Sequence, residues 1–220
     1  MNSSSRFAHH ALRNAEDTAL NTQYDIYLVG VGGQGVLTIG DLIAEAAMDT
    51  GLSVNFYPTK GMAQRGGSVK VQVRLGREVV GPQMSERQAD LVVALERSEA
   101  LKAIRYAKTG ADFLLYGHVW QPTKVMLGRA DYPSLEQVRD RTSDAGARFL
   151  YLDPQDLPRH DGGRLPANVY VLGAAVGGTR LGDVLTADAV EVVVTGRWKK
   201  YAAVNQAAFQ AGLEAGRDVR

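Results

Sequence analysis

Tyr24 to Ala47 read YDIYLVGVGGQGVLTIGDLIAEAA, and the fold is decided in this stretch. Ile26-Tyr27-Leu28-Val29 is an apolar run long enough for one buried strand and too short for a helix. The chain then meets Gly30, Gly32, Gly33 and Gly35. Beyond them Val36, Leu37, Ile39, Leu42, Ile43, Ala46 and Ala47 recur every three or four residues, the spacing of an amphipathic helix that stops before Gly51. A strand, a glycine turn and a helix in that order suit an anion. The first helical turn has amides without partners inside the helix and carries the positive end of its dipole. Glycines let the backbone bend sharply and let a phosphate approach where a Cβ would clash.

Gly30, Gly32 and Gly35 satisfy GxGxxG, the dinucleotide fingerprint, which as a bare string is weak evidence. An NAD-binding unit also needs an acid about twenty residues further on to hold the ribose hydroxyls. Here the second strand reads Ser53-Val54-Asn55-Phe56-Tyr57 and runs into Pro58-Thr59-Lys60 without one. The turn therefore predicts phosphate or backbone contact rather than NAD, with a tight turn that binds nothing as the plain alternative.

Lys60 to Ser68, KGMAQRGGS, is a second glycine-rich loop. Placed just after the second strand, it belongs at the carboxyl edge of the sheet, where the first turn also lies, so the two should face each other. Arg65 offers a forked pair of donors for a phosphate or carboxylate, and Gln64 and Ser68 add neutral donors. A solvated surface turn is the alternative. Val69, Val71, Val73 and Leu75 alternate with Lys70, Gln72 and Arg74, the pattern of a half-buried strand. Gly76 followed by Glu78-Val79-Val80 predicts a hairpin there, an antiparallel insertion in an otherwise α/β chain.

The remainder repeats strand and helix. Strands are expected at Asp90–Leu95, Phe113–Tyr116, Lys124–Gly128 and Phe149–Leu152, and helices at Arg97–Ala107, Leu135–Ala145, Thr186–Val194 and Ala202–Ala215. Glu96 ends a strand where α/β sheets place functional side chains, but a carboxylate there more often starts a helix. Asp153 to Pro166, with three prolines and two glycines, reads as a loop or boundary. From Asn168 the chain mixes apolar and small residues. Its glycines permit close packing on another helix, and Asn168 is the expected cap. The fold class is thus α/β: a Rossmann-like, mainly parallel sheet with helices on both faces and an antiparallel hairpin insertion. Residues 24–220 form one domain behind a polar arm, residues 1–23.

Bulk properties exclude several functions. Of the 220 residues, 45% are hydrophobic and 22% charged, ordinary globular values, and the net charge of +1 gives no reason to expect a nucleic-acid surface. No apolar run approaches the eighteen or so residues that cross a bilayer. Cysteine is absent, which removes disulfides, thiolate metal sites and iron-sulfur ligation from this chain. The start has no apolar segment of the secretory kind, and a cytoplasmic protein is expected. His9, His10, His118 and His160 have no metal spacing. Gly40-Asp41-Leu42 and Gly182-Asp183-Val184 each lack the third glycine of the thiamine diphosphate motif. No catalytic or metal-binding residue is expected here.

Four stretches together, VGVGGQGV at Val29–Val36, GMAQRGGSV at Gly61–Val69, ADLVVALE at Ala89–Glu96 and NVYVLGAAVG from Asn168, resemble one family. It is the gamma-type subunit or domain of 2-oxoacid:acceptor oxidoreductases, including the beta subunit of indolepyruvate:ferredoxin oxidoreductase. The likeness spans about Tyr24 to Gly212. It implies a subunit that is inactive alone, in a hetero-oligomer that decarboxylates a 2-oxoacid oxidatively, usually to an acyl-coenzyme A. Indolepyruvate, another aryl or branched 2-oxoacid, and phenylglyoxylate-type substrates all remain open. Thiamine diphosphate with Mg2+ and the [4Fe-4S] clusters would sit on alpha/beta-type and iron-sulfur partner subunits, passing electrons to ferredoxin or an NAD-linked acceptor. The resemblance carries the loop residues over as contacts with the thiamine or coenzyme A site: Gly30, Gly32, Gly33, Gln34 and Gly35 in the first loop, and Met62, Gln64, Arg65, Gly66, Gly67 and Ser68 in the second. A freestanding NAD(P)- or nucleotide-binding module and a purely structural scaffold are the competing readings.

Overall fold

The apolar run after Gln23 forms β1, Tyr24–Val31. Ile26 and Leu28 point to one side of it, Tyr27 and Val29 to the other, and none is more than 1% exposed. A strand buried on both faces needs a layer on each side, which explains a continuous apolar run rather than an alternating one. The computed structural model describes residues 23–60, 67–78, 81, 83–121 and 123–220. The polar arm therefore lies, but for Gln23, outside the described residues, as do Gly61–Gly66 of the second glycine loop.

The elements that follow are α1 (Val36–Asp49), β2 (Val54–Lys60), β3 (Ser68–Leu75), β4 (Ala89–Ala94), α2 (Arg97–Ala103) and β5 (Ala107–Tyr116). Then come α3 (Thr123–Met126), α4 (Leu135–Asp144), β6 (Arg148–Leu152), the short strands β7 (Arg159–His160) and β8 (Gly163–Arg164), α5 (Ala167–Gly178), α6 (Leu181–Val184), α7 (Ala187–Gly196) and α8 (Ala202–Asp218). Six strands make one sheet in the order β2-β3-β1-β4-β5-β6. β1, β4, β5 and β6 pair in parallel, and β3 runs antiparallel to both β1 and β2. Helices α1, α5, α7 and α8 cover one face, burying Ile39, Leu42, Val171, Val194 and Phe209 against it. α2 and α4 cover the other, where Ala100, Ala103 and Val138 meet Tyr27, Val92 and Phe113. The expected fold class holds.

Several local expectations are corrected. The antiparallel strand is present, but it hairpins back on β2 rather than forward on Glu78, which is outside any strand. Val79 and Val80 lie outside the described residues. Pro58 fits β2 because that strand is the sheet's edge, where a missing amide breaks no ladder. The expected strand at Lys124–Gly128 is instead one helical turn, α3, with Met126 and Leu127 exposed and no strand beside it. The helix after Glu96 stops at Ala103, gives one 3-10 turn, and hands over to a longer β5 than expected. Asn168 does not cap its helix. Pro166 holds that position with its fixed φ of −62° and leaves Asn168 in the first turn.

α5 and α8 meet main chain to main chain. A Cβ on Gly212 would lie 2.0 Å from the Tyr170 carbonyl oxygen, and one on Gly173 would lie 2.2 Å from that of Phe209. No other residue fits at that separation.

Candidate functional site

The glycine turn is shaped by its own glutamine. Gln34 Oε1 accepts from the Val31 amide at 2.8 Å, while its Nε2 donates to the Leu95 carbonyl at 3.0 Å, bridging the ends of β1 and β4. Gly30 makes room for that bridge, because a Cβ there would sit 2.6 Å from Gln34 Oε1 and 2.8 Å from Val36 Cγ2. Gly33 and Gly35 have φ of +99° and +78°, values that side chains oppose. Gly35 also abuts Asn168, whose Nδ2 would be 2.8 Å from an added Cβ.

The second loop meets the first where both are described. The Gly32 amide donates to the Gly67 carbonyl at 2.8 Å, and Val31 stands opposite Ser68 in the β1–β3 register. The Ser68 hydroxyl donates to the Glu99 carboxylate at 2.7 Å, and Glu99 also accepts from Lys102 at 2.6 Å. Met62, Gln64, Arg65 and Gly66 lie outside the described residues.

Above these bends is a cavity of about 690 Å³. Its floor is Val31 to Gly35 and Leu95, its walls include Tyr116, His118, Trp120 and Leu157, and Arg164 and Asn168 close it. It therefore opens beyond the carboxyl ends of β1, β4 and β5, where the chain leaves β1 towards β2 on one side and β4 extends the sheet on the other. That is the ligand-binding crevice of open α/β sheets. Two helices begin at it. α1 starts from Gly35 and α5 from Pro166, and neither start has a side-chain cap. By contrast Glu96, Ser134 and Thr186 cap α2, α4 and α7 with their own oxygens, although the short α6 and α8, which continues from a 3-10 turn, are uncapped too. Uncapped first-turn amides leave donors for an anion.

Arg164 and His118 make no ion pair among the described residues, so both side chains are available to a ligand. Burial pushes the Tyr116 phenol above its usual range while nearby Arg164 pulls it down, so at neutral pH Tyr116 stays a neutral donor. Glu96 is used otherwise. It is fully buried and accepts from the Glu99 amide at 2.8 Å, from the Ser98 hydroxyl at 2.6 Å and from the Tyr132 hydroxyl, so it is a helix cap and an anchor. Burial and that carboxylate both push the Tyr132 phenol upward.

A family model described as pyruvate ferredoxin/flavodoxin oxidoreductase matches residues 25–215. The chain belongs to that family. The resemblance carried by the glycine loops is borne out. The indolepyruvate oxidoreductase subunit IorB of Pyrococcus horikoshii is 35% identical over 199 residues, covering 90% of this chain and 98% of that protein. The gamma subunit of a keto/oxoacid ferredoxin oxidoreductase from Geobacter sulfurreducens superimposes with a TM-score of 0.62 at 26% identity, over 88% of this chain and 98% of that one. The pyruvate oxidoreductase subunit PORC of Thermotoga maritima gives a TM-score of 0.65 over 88% of this chain and 97% of that one. At 21% identity, that last likeness shows a shared fold.

In this oxidoreductase-family chain the residue chemistry sorts the implied cofactors. Iron-sulfur clusters need thiolates and the sequence has no cysteine. Among the described residues no group of three or more His, Asp or Glu side chains is placed to hold a metal ion. The crevice offers two helix starts, an arginine and a histidine, the kinds of donor that a phosphate accepts from. No helix among the described residues is long and apolar enough to cross a membrane.

The sequence reading of this family member missed most of the cavity wall: Tyr116, His118, Trp120, Arg164 and Asn168. Two signals were there to find. His118 follows the end of β5, the edge where functional groups gather. Asp161-Gly162 is a two-residue hairpin turn, and its φ values of +48° and +80° pair Arg159 with Arg164 and bring Arg164 to the cavity mouth.

Proposed function

We propose that this chain is the gamma-type, IorB-like subunit of a 2-oxoacid:ferredoxin oxidoreductase complex, acting on an aryl or other 2-oxoacid. Residues 24–220 form its single domain, residues 1–23 are a polar arm in sequence, and the complex is cytoplasmic. Thiamine diphosphate and the clusters belong to partner subunits, and coenzyme A is the phosphate-bearing group whose site this chain helps to wall. Bound there, coenzyme A supplies the thiol that accepts the acyl group. This chain's own residues position it: first-turn amides of α1 and α5 and the Arg164 guanidinium meet phosphate, while Gln34 keeps the turn in shape. Met62, Gln64, Arg65, Gly66, Gly67 and Ser68 provide the complementary lip against the thiamine-binding subunit.

The observation that carries this reading is the Gly32–Gly67 hydrogen bond, which joins the two glycine loops at one rim of the sheet. The same geometry weighs against a freestanding NAD(P) module. β3 lies between β1 and β2, so the end of β2 is two strand spacings, about 10 Å, from the glycine turn, and it has no acid.

The test is reconstitution. The purified chain alone is expected to oxidise no 2-oxoacid, and co-expression with a thiamine-binding partner subunit to restore turnover with ferredoxin. Turnover by the isolated polypeptide overturns the division of labour. In the assembled complex Arg65→Ala is expected to lower turnover about tenfold, whereas a purely structural scaffold predicts no change.

A further inference from the structure

A second recess lies beside the first. It has a volume of about 480 Å³ and is bounded by Thr38, Arg164, Asn168, Trp198, Tyr201 and Asn205, among others. Arg164 and Asn168 line both hollows, so the two adjoin. Nothing in the proposed function uses Trp198, Tyr201 or Asn205.

Three features of the recess point to one kind of occupant. Two aromatic rings stand at it part-exposed, Trp198 at 36% and Tyr201 at 54%. Trp198 is also held in place: the Arg197 guanidinium lies 5.2 Å from the centre of its ring and is itself anchored by Glu45 at 2.8 Å and Asp41 at 3.4 Å. Asn205 is only 6% exposed, yet its amide takes part in no hydrogen bond among the described residues. Lining the open recess, that amide can both donate to and accept from a ligand. Finally, Arg164 and the uncapped start of α5 supply positive charge at one end.

A flat ring stacks on such side chains whatever its substituents, because every base has a π-face. An asparagine amide, one donor beside one acceptor, matches the paired acceptor and donor on the edge of adenine. A phosphate suits the arginine and the helix start. We propose that this recess binds an adenine mononucleotide group, with the base against Trp198 and Tyr201, its edge on Asn205 and its phosphate on Arg164. The group is recognised alike as a free nucleotide or as the end of a longer cofactor.

The full-length chain carrying Trp120→Phe retains Trp198 as its sole tryptophan, so indole fluorescence reports on this recess alone. Titration with adenosine monophosphate is expected to quench it saturably, with inorganic phosphate at least tenfold weaker. Asn205→Leu is expected to weaken the nucleotide at least tenfold. Tyr201→Ala, at an exposed position that leaves the fold intact, is expected to do the same and serves if Asn205→Leu does not fold. Coenzyme A binding at least tenfold tighter than the mononucleotide marks the site as the end of a longer ligand, and equal affinity marks it as a site for the free nucleotide. Absence of saturable quenching, phosphate as effective as nucleotide, or unchanged affinity in Tyr201→Ala overturns the proposal. None of these readings requires partner subunits, so a failure here is distinct from a failure of reconstitution.

Discussion

The two edges of the sheet use similar side chains in opposite ways. At the amino edge, Asp25 of β1, Asp90 of β4 and Asp112 of β5 are 1%, 6% and 2% exposed, and each is matched by cations. Arg74 forks onto Asp25 with both bonds at 3.0 Å and Arg77 joins at 3.1 Å. Lys108 pairs with Asp90, while Arg148 and the Arg180 amide reach Asp112 at 2.9 Å each. At the carboxyl edge, Arg164, His118 and two helix starts stand open on a cavity, without such partners among the described residues. A buried charge with every bond satisfied locks strands together, whereas an accessible donor that the fold does not use is available to a ligand. The comparison separates residues that hold this fold from residues that use it.

The comparison breaks most visibly at Asp25. Asp25→Ala leaves Arg74 buried and uncompensated, and the expected loss is about 3–5 kcal/mol by chemical denaturation. Among molecules that remain folded, affinity for phosphate-bearing ligands should not change. A change in affinity as large as the loss of stability would erase the distinction between the edges.

Gln34 straddles the boundary, since it belongs to the ligand edge yet spends its amide internally. Gln34→Leu strips partners from the Val31 amide and the Leu95 carbonyl and is expected to cost about 2 kcal/mol. Because the glycine turn then loses its brace, ligand affinity should fall as well, and calorimetric titration alongside the unfolding curve checks both. Gln34→Glu keeps the acceptor for Val31 but loses the donor to Leu95, and should fall between.

Arg164→Ala sits at the small end of the stability scale. The side chain is exposed and makes no ion pair among the described residues, so stability should change by no more than about 0.5 kcal/mol. Its phosphate affinity should nevertheless drop about tenfold, an effect that salt diminishes. A substantial loss of stability would mean that Arg164 is a structural cation like Arg74.

The layers of the fold were legible because burial on both faces writes an unbroken apolar word, as in Ile26–Val29 and Leu91–Leu95. The direction of β3 was legible as an insertion but its partner was not. Alternation at Val69, Val71 and Val73 says that one face is buried without saying which neighbour lies alongside, and β2 runs on through Pro58 because it is an edge strand. The glycine loops could be read because a tight turn demands a particular residue. The cavity wall could not, because Tyr116 and His118 at the end of β5 meet Arg164 of β8 only once the chain has folded. Glu96 shows the reverse case, a suggestive position in sequence that packing turns into a cap.

The glycines between α5 and α8 have a bearing on recognition although they touch no ligand. Asn168 lies on the first of these helices and Asn205 on the second, and they face the same hollow. With the two backbones in direct apposition at Gly173 and Gly212, the width of that hollow is fixed by the absence of side chains deep in the fold. A single methyl at either glycine would act as a wedge, spreading the far walls before anything arrived to be measured.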